Sequence, residues 1–280
     1  MIKNKLKLYY KASIQIFFKY IYGKVLISNT RAKLIKKEKI SSSFETYNGK
    51  KYYFYKIKNA RIYTDNNENV AVIKNNFILP FVSFQQTNGN LKKIKYNSVL
   101  RIGTPSFVRK IKGKVFNLCQ GDSGNNFFHF LFDIVPKIYL LTLKIDLKKI
   151  NYFYVSDPKK WQIKIFKILG IGEEKLLSSK KNNHIFAEEI YAVDHPWYDK
   201  GYIQENVKKI PKWIIQKNRE FFSDNSKQKF KNKIFLDRSK SKYNHCQINN
   251  LNDIKNLVLR NNFKLCKPEY LSFKKQINLF

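Results

Sequence analysis

The spacing of apolar and polar residues along the chain predicts a β-rich region followed by alternating strands and helices. Between residues 50 and 115 the apolar residues fall in short β-rich runs at 52–55, 61–64 and 70–73, separated by polar turns. Short runs of this kind are typical of antiparallel strands. The pair Asn88-Gly89 is a hairpin signal. We therefore expect residues 50–115 to form antiparallel strands or a meander.

After residue 116 the strand-like and helical periods alternate. The pattern predicts strands at 114–119, 152–155 and 185–193 and helices at 126–143 and 159–169. A βαβα order favours a parallel sheet with helices on its faces, so residues 116–230 are predicted to form one α/β domain. Residues 223–226 have the composition of a linker. A strand at 233–236 is then predicted to begin a second α/β domain, which takes in residues 231–280.

The first 49 residues read as a separate basic and amphipathic segment. Residues 1–28 mix apolar and basic positions, and Lys19 and Lys24 interrupt the apolar run. A membrane-spanning helix needs about 20 consecutive apolar residues, so this segment is not expected to span a bilayer. It suits a helix that lies on an anionic inner leaflet. The alternative is an ordinary surface helix packed on the domain.

Composition limits the classes of function. The chain has 280 residues, 43% of them hydrophobic, which is enough for one or two sizeable cores. Its formal net charge of +35 would ordinarily indicate a nucleic acid or an anionic membrane as partner. Nearly all of this charge is lysine, spread along the whole chain, whereas base readout favours arginine. Because lysine has A/T-rich codons, no specific nucleic-acid partner is expected.

The cysteines and histidines do not indicate a disulfide framework or a metal site. Cys119, Cys246 and Cys266 are too few and too scattered for such a framework, which fits a reducing cytoplasm. The histidines are well separated along the chain, and neither a Cys-x-x-Cys pair nor an Asp-x-Asp motif occurs. We therefore predict a cytoplasmic protein that uses no metal and no other cofactor.

A file of polar residues runs through an otherwise apolar predicted helix. These polar residues are Asn126, His129, Asp133 and Lys137. Their spacings of three, four and four residues place them on one face of a helix. Burying such groups is costly unless they bond to one another or line a cleft, so they are candidates for a site. Pro136 is predicted to kink the helix and to open this face. The alternative is a helix capped by Asn125 or Asn126, with a His-Asp pair that braces the core.

These residues also carry a resemblance to a known family. The run from Gly124 to Lys137, GNNFFHFLFDIVPK, resembles the N-Y-Y-H-W-L-F-D-x-x-P-R signature of the family 61 glycosyltransferases, which include bacterial capsular-polysaccharide members. Later segments are similar to the family's motifs in the right order, at 151–171, 234–240, 250–263 and 269–277. The resemblance covers roughly residues 100–280.

The resemblance implies a GT-B-like α/β fold, with two Rossmann-like domains across a cleft. It implies that a hexosyl or pentosyl group passes, with inversion, from a nucleotide sugar to a glycan or lipid-linked acceptor in bacterial surface or capsular polysaccharide synthesis. Asp133 is expected to be the base, with His129 either its orienting partner or the base itself. Asn126 is expected to position the acceptor or the helix start, and Arg238 to stabilise the departing diphosphate.

The chain departs from the family pattern in several places. Asp237 stands where the family has Ser, the family's second Arg is replaced near His245 and Cys246, and Asn262 replaces the Gly at a helix end. Asn also tolerates the left-handed conformation of a helix C-cap. The family's His-Gly-x-Gly-Leu-x-Asn turn, expected to face the donor, does not occur before Phe280. We therefore expect a truncated donor-binding domain and little or no transferase activity.

Two other functions stay open. One is a basic protein that binds nucleic acid or an anionic membrane without catalysis, although no RNP-like, KH or zinc-finger pattern supports it. The other is an inactive relic of the transferase. Salt sensitivity separates a binding protein from a transferase, because binding through phosphates weakens steeply as the salt concentration rises.

Overall fold

A computed structural model describes residues 2–27, 36–40, 50–65, 69–120, 126–198, 200–222, 233–239 and 247–277. The chain divides into two compact units, Met1–Asn218 (unit 1) and Arg219–Phe280 (unit 2). The predicted linker at 223–226 and the departures from the family pattern at His245 and Cys246 lie outside the described residues.

The secondary structure of the described residues follows the predicted alternation. The strands are β1 (Leu26–Ile27), β2 (Lys36–Lys39), β3 (Tyr53–Thr64), β4 (Val70–Lys74), β5 (Phe77–Ile78), β6 (Gln86–Thr87), β7 (Asn90–Leu91), β8 (Arg109–Asn117), β9 (Tyr152–Val155), β10 (Leu176–Ser178), β11 (His184–Val193), β12 (Gly201–Tyr202), β13 (Lys233–Leu236) and β14 (Phe263–Cys266). The α-helices are α1 (Ile2–Tyr22), α2 (Ser98–Ile102), α3 (Phe127–His129), α4 (Val135–Thr142), α5 (Lys160–Ile168), α6 (Ile203–Val207), α7 (Lys212–Phe222), α8 (Leu251–Arg260) and α9 (Phe273–Ile277). A π-helical turn, Phe130–Ile134, joins α3 to α4 without a break.

Unit 1 is built on one mixed sheet, whose strand order is β1-β5-β4-β3-β11-β8-β9-β10, with β2 also paired to β3. The four strands β11, β8, β9 and β10 are mutually parallel, and β11 pairs with β3 in the antiparallel sense. β-branched and aromatic residues, which suit a pleated surface, fill its core. Among the fully buried members are Ile57, Ile62, Val115, Ile185 and Ile190.

The order in which the chain adds the parallel strands to the sheet reverses once. The chain passes from β8 to β9 to β10 across the sheet and then returns to place β11 on the other side of β8. In open α/β sheets, ligands bind beyond the carboxyl ends of the strands at such a switch point. The carboxyl ends of β8 and β11 are therefore the place in this fold to search for a site.

The predicted elements agree with the structure better than the predicted regions do. The hairpin at Asn88-Gly89 is confirmed between β6 and β7, with φ of 50° and 69° at its two central residues. The parallel sheet after residue 116 is also confirmed. However, the boundary predicted between residues 115 and 116 falls inside β8, and one sheet contains strands from both regions because β11 pairs with β3 on one side and with β8 on the other.

The helix predicted within residues 1–28 is confirmed as α1, and its C-terminal end packs on the rest of unit 1. The Phe18 ring meets the Phe107 ring edge-on at 4.9 Å, and Lys19 donates a hydrogen bond of 2.7 Å to the carbonyl of Arg101. The backbone N–H of Val108 donates to the Tyr22 hydroxyl at 3.0 Å. Among the described residues, no helix combines the length and the apolar character needed to cross a bilayer.

Unit 2 contains a strand, a helix and a second strand, as predicted. β13 and β14 pair in parallel, and α8 connects them. Asn262, just after α8, has a φ of 62°, so the predicted left-handed conformation at this helix end is confirmed.

Candidate active site

Polar side chains from three segments meet beyond the carboxyl ends of β8 and β11. Gln120 lies three residues after β8, and His195 lies two residues after β11. The helix that follows β8 contributes His129 from α3 and Asp133 from the π-helical turn. The Gln120 and His195 side chains approach to 3.2 Å between their Nε2 atoms. The group therefore lies at the switch point of the sheet.

Asn126 fixes the start of the helix. Its backbone is extended, and its side-chain oxygen accepts a hydrogen bond of 3.2 Å from the backbone N–H of His129. This is an N-cap, which satisfies one of the otherwise unpaired amides and stabilises a helix by about 1 kcal/mol. Of the two roles predicted for Asn126, the one at the helix start is confirmed.

The helix widens at the site because of its sequence. Pro136 has no backbone N–H, so it cannot bond to the carbonyl of Phe132 four residues earlier. The N–H of Val135 donates instead to the carbonyl of Phe130, five residues back, which is the π-helical pattern. The Phe132 carbonyl accepts a hydrogen bond of 3.1 Å from the indole Nε1 of Trp197. The predicted irregularity at Pro136 thus takes the form of a π-helical turn.

The Asp133 carboxylate is the centre of the site and is almost completely buried, with 1% of the residue exposed. Its Oδ2 accepts hydrogen bonds from Gln120 Nε2 at 2.7 Å and from His129 Nδ1 at 2.8 Å. Its Oδ1 accepts one of 2.7 Å from Trp197 Nε1. Burial alone would raise the pKa of Asp133, but His195 and the hydrogen bond from His129 hold this pKa well below its usual range. Asp133 is therefore a carboxylate that accepts hydrogen bonds from three side chains.

Lys137 determines which way the Gln120 amide faces. The buried ammonium of Lys137 donates a hydrogen bond to Gln120 Oε1, which turns the amide nitrogen toward Asp133. With the amide reversed, its oxygen would face the carboxylate and its nitrogen would face the ammonium, and both contacts would be repulsive. Burial lowers the pKa of Lys137 to about 8, and the attraction of Asp133 opposes that change. Lys137 therefore carries its charge at neutral pH.

His195 stands between the buried carboxylate and an open cavity. Its Nδ1 accepts hydrogen bonds from the backbone N–H groups of Tyr198 at 2.9 Å and Trp197 at 3.4 Å. Burial lowers the pKa of His195 to about 4, so the ring is neutral at pH 7. A neutral ring that accepts at Nδ1 carries its proton on Nε2, which lies 3.6 Å from Asp133 Oδ1.

The cavity beyond His195 has a volume of about 590 Å³. His195 forms part of its wall, together with Phe84, which stacks on the imidazole with ring centres 5.9 Å apart. Asn126, His129 and Asp133 are not among the residues that line this cavity. The expectation that Pro136 opens the polar helix face is wrong, because the π-helical turn directs Asp133 into contact with Trp197.

The structure places the predicted site residues in two groups. His129 and Asp133 lie together in unit 1, so their predicted interaction is confirmed. Arg238 is an exposed residue of unit 2, two positions after β13. Gln120, Trp197 and His195 were not predicted. The sequence contained a signal for both Gln120 and His195, since Gln120 directly follows the predicted strand 114–119 and His195 lies two residues after the predicted strand 185–193.

A protein-family model matches the C-terminal part of the chain. Residues 127–280, more than half of the chain, match the family model described as Glycosyltransferase 61. No curated protein sequence gives a significant match to the chain. The matched region begins one residue after the Asn126 cap and includes His129, Asp133, His195 and Arg238.

Proposed function

The chain belongs to the glycosyltransferase 61 family, and from this premise we propose that it transfers a sugar from a nucleotide-sugar donor to a glycan or lipid-linked acceptor. The observation that carries the proposal is the buried His129–Asp133 pair beyond the carboxyl ends of β8 and β11. We propose that the transfer inverts the configuration at the anomeric carbon. We also propose that it belongs to the synthesis of bacterial surface or capsular polysaccharide. The donor supplies a hexosyl or pentosyl group, and the residues assigned below act without a metal or another cofactor.

We assign the base to His129 and make Asp133 its positioning residue. Asp133 is unsuited to take the proton itself, because three donors occupy its oxygens, and His195 and His129 keep its pKa low. His129 donates its Nδ1 proton to this carboxylate, so a neutral His129 carries its lone pair on Nε2. Asp133 thereby fixes the tautomer in which Nε2 can accept a proton.

The proposed step balances as a single displacement. The acceptor hydroxyl gives its proton to His129 Nε2, and the acceptor oxygen forms a bond to the anomeric carbon. The bond between that carbon and the diphosphate oxygen breaks, and the nucleoside diphosphate leaves with the electron pair. We propose that Arg238 stabilises the negative charge on this leaving group and that Asn126 contacts the acceptor from its exposed position at the helix start.

A GT-B-like arrangement is consistent with the two units taken separately. Unit 1 contains the parallel strands β8, β9, β10 and β11 with a switch point, as in a Rossmann-like domain. Unit 2 contains a β-α-β segment, from β13 through α8 to β14. We propose that these are the acceptor-side and donor-side domains of such a fold.

A second proposal concerns helix α1, which we assign to peripheral contact with the cytoplasmic leaflet of the inner membrane. The helix carries five lysines and neither Asp nor Glu. Large apolar side chains are exposed on it, among them Leu6, Tyr9, Ile16 and Tyr20. A basic helix with exposed apolar and aromatic groups suits an anionic interface.

The transferase proposal is tested with the full chain and a panel of sugar nucleotides, with and without extracted polysaccharide precursors from a bacterial cell envelope. Because the sequence predicts little or no activity, we expect at most slow sugar transfer or slow hydrolysis of the donor with one nucleotide, and His129→Ala to abolish it. Release of nucleoside diphosphate is the measured quantity. Turnover that His129→Ala leaves unchanged would overturn the assignment of the base. An absence of both binding and turnover for every nucleotide would overturn the function itself.

A further inference from the structure

The cavity next to His195 is lined by an excess of positive charge. Five lysines border it, and the one carboxylate among its lining residues is that of Asp194. The lysines are Lys50, Lys51, Lys92, Lys93 and Lys200. Within the described part of the chain, Lys51, Lys92, Lys93 and Lys200 form no ion pair with a carboxylate. The cavity therefore offers ammonium groups that its own residues do not neutralise.

Asp194 supplies at most one negative charge against these five lysines. One of its oxygens accepts a hydrogen bond of 2.9 Å from the backbone N–H of Tyr53, and the other accepts one of 2.7 Å from the Tyr55 hydroxyl. Both oxygens are thus engaged by the sheet. Burial raises the pKa of Asp194, and the two hydrogen bonds oppose that change. An anion is the ligand that this balance of charge favours.

Aromatic side chains form another part of the wall, and two of them, Tyr198 and Phe84, make defined contacts with their neighbours. The Tyr198 hydroxyl accepts a hydrogen bond of 2.7 Å from the backbone N–H of Leu91 and donates one of 2.6 Å to the carbonyl of Gly201. Phe84 stacks on His195. Fixed apolar ring faces beside cationic groups suit a ligand that has both an apolar surface and a phosphate group. A volume of about 590 Å³ is large enough for a saccharide unit with its phosphates.

The residues that line the cavity lie mainly outside the part of the chain that matches the family model. Most of its lining residues, from Lys50 to Asn97, precede the matched region that begins at residue 127. Under the proposed function, the nucleotide-sugar donor is expected to bind to the residues that carry the family match. A cavity built mainly from other residues therefore fits the reactant that is particular to this chain, which is the acceptor.

We propose that this cavity binds a phosphate-bearing, non-reacting end of the acceptor. The inference rests on the proposed function, because it takes the chain to be a transferase. His195 belongs both to the cavity wall and to the surroundings of Asp133, so an acceptor anchored here lies beside the His129–Asp133 pair. Binding energy from a remote group is what orients a reacting hydroxyl. The phosphate belongs either to a saccharide joined to a lipid through a diphosphate or to a soluble sugar phosphate.

The test measures binding of inorganic pyrophosphate to the full chain by calorimetry, without turnover. The pocket variant is Lys92→Gln with Lys93→Gln, and the control is Lys110→Gln with Lys112→Gln, two exposed lysines of β8 that do not line the cavity. Both variants lose the same charge. We expect the pocket variant to weaken pyrophosphate binding by at least about tenfold and the control to change it less than about twofold. Equal losses in the two variants, or no binding by the unaltered chain, would overturn the site.

Further probes identify the source of the phosphate. Tighter binding of farnesyl diphosphate than of glucose 1-phosphate supports a lipid-linked acceptor, and the reverse order supports a soluble sugar phosphate. Neutral glucose that binds as tightly as either would overturn the anionic class. A nucleoside diphosphate that displaces pyrophosphate and depends equally on Lys92 and Lys93 would assign the cavity to the donor and overturn the acceptor assignment.

The two proposals fail in different ways. If pyrophosphate binding depends on Lys92 and Lys93 but no sugar nucleotide is bound or turned over, the anion site stands and the transferase function fails. If turnover requires His129 but pyrophosphate binding is unaffected by the pocket variant, the function stands and the acceptor site fails.

Discussion

The indole Nε1 of Trp197 lies 2.7 Å from Oδ1 of Asp133 and donates a hydrogen bond to it. The same Nε1 lies 3.1 Å from the carbonyl oxygen of Phe132, the group for which Pro136 provides no amide hydrogen. One side chain therefore satisfies both the buried carboxylate and the backbone carbonyl that the proline leaves without its helical partner. The segment after β11 and the helix after β8 are joined at this point.

Replacement of Trp197 by Phe is expected to destabilise unit 1 more than the same replacement at Trp213. Trp197 donates to a buried carboxylate, whereas the Nε1 of Trp213 donates to the neutral hydroxyl of Tyr52 at 3.2 Å. Hydrogen bonds to charged groups contribute about 1.5–3 kcal/mol and neutral ones about 0.5–1.5 kcal/mol. We expect a difference of about 1 kcal/mol in the free energy of unfolding, measured by urea titration. Equal losses would show that the charge on Asp133 does not strengthen this bond.

Replacement of His129 by Ala is expected to lower kcat by about 10²- to 10⁴-fold, the usual contribution of a general base. Exogenous imidazole should restore part of the activity, which a purely structural role for His129 would not allow. The matched control is His184→Ala at the opposite end of β11, where the ring bonds to the Ser106 carbonyl at 2.8 Å. That variant should lower stability but leave kcat within about twofold, well below the effect of a lost base.

Replacement of Asp133 by Asn tests the positioning role separately. An amide in place of the carboxylate no longer stabilises the His129 tautomer with its proton on Nδ1, so kcat should fall while KM changes little. The pH dependence of kcat is the discriminating measurement. It should move in Asp133→Asn if Asp133 acts through the titration of His129. An unchanged pH profile with an undiminished kcat would contradict the role.

The local part of the site could be predicted from the sequence, and the long-range part could not. His129 and Asp133 are four residues apart on one helix, where side chains are neighbours regardless of the surrounding fold. The contact of Gln120 with His195 depends instead on the insertion of β11 next to β8, between strands that are distant in sequence. Periodicity identifies a strand but does not give its neighbours.

The same reason explains the predicted boundary at residue 115. The β-rich segment and the alternating segment differ in pattern, which suggested two regions. β3 and β8 nevertheless share β11 as a neighbour, one in the antiparallel and one in the parallel sense. Mixed sheets of this kind have local signals that change along the chain while the core remains continuous.

Unit 1 is expected to lose stability as the pH falls from about 6.5 to about 4. Burial lowers the pKa of both His184 and His195 to about 4 from the ordinary value of 6.5. Between these values the unfolded chain binds protons that the folded chain does not, so the free energy of unfolding falls as the pH falls. Asp133, whose pKa is lowered from 3.8, adds a further loss below that value.

The free energy of unfolding is expected to fall by up to about 1.4 kcal/mol per pH unit for each of the two histidines. Tryptophan fluorescence during urea titration is the appropriate measurement, since Trp161, Trp197 and Trp213 all belong to unit 1. His184→Gln should reduce the slope by about half in this window, because one of two titrating groups is removed. A stability that stays constant from pH 6.5 to 4 would contradict the buried neutral histidines.

Helix α1 is expected to bind anionic vesicles through the exposed face formed by Leu6, Tyr9, Ile16 and Tyr20, which we call the outward face. These four residues are 63%, 69%, 69% and 91% exposed and share one side of the helix at their spacings. Phe18, which packs on Phe107, points to another side. The outward face therefore points away from the contacts between α1 and the rest of unit 1.

The prediction is tested by co-sedimentation with phosphatidylglycerol vesicles, compared with phosphatidylcholine vesicles. Each lysine near an anionic surface contributes about 1 kcal/mol, and the apolar side chains add their burial in the interface. Leu6→Glu with Ile16→Glu should abolish binding because it removes apolar groups and adds repulsion. The control, Lys7→Gln with Lys11→Gln, changes the net charge by the same amount on another side of α1 and should weaken binding without abolishing it. If both variants lose binding equally, charge alone holds the chain to the membrane and the outward face has no role. If the unaltered chain stays in the supernatant with anionic vesicles at low salt, α1 is not a membrane contact.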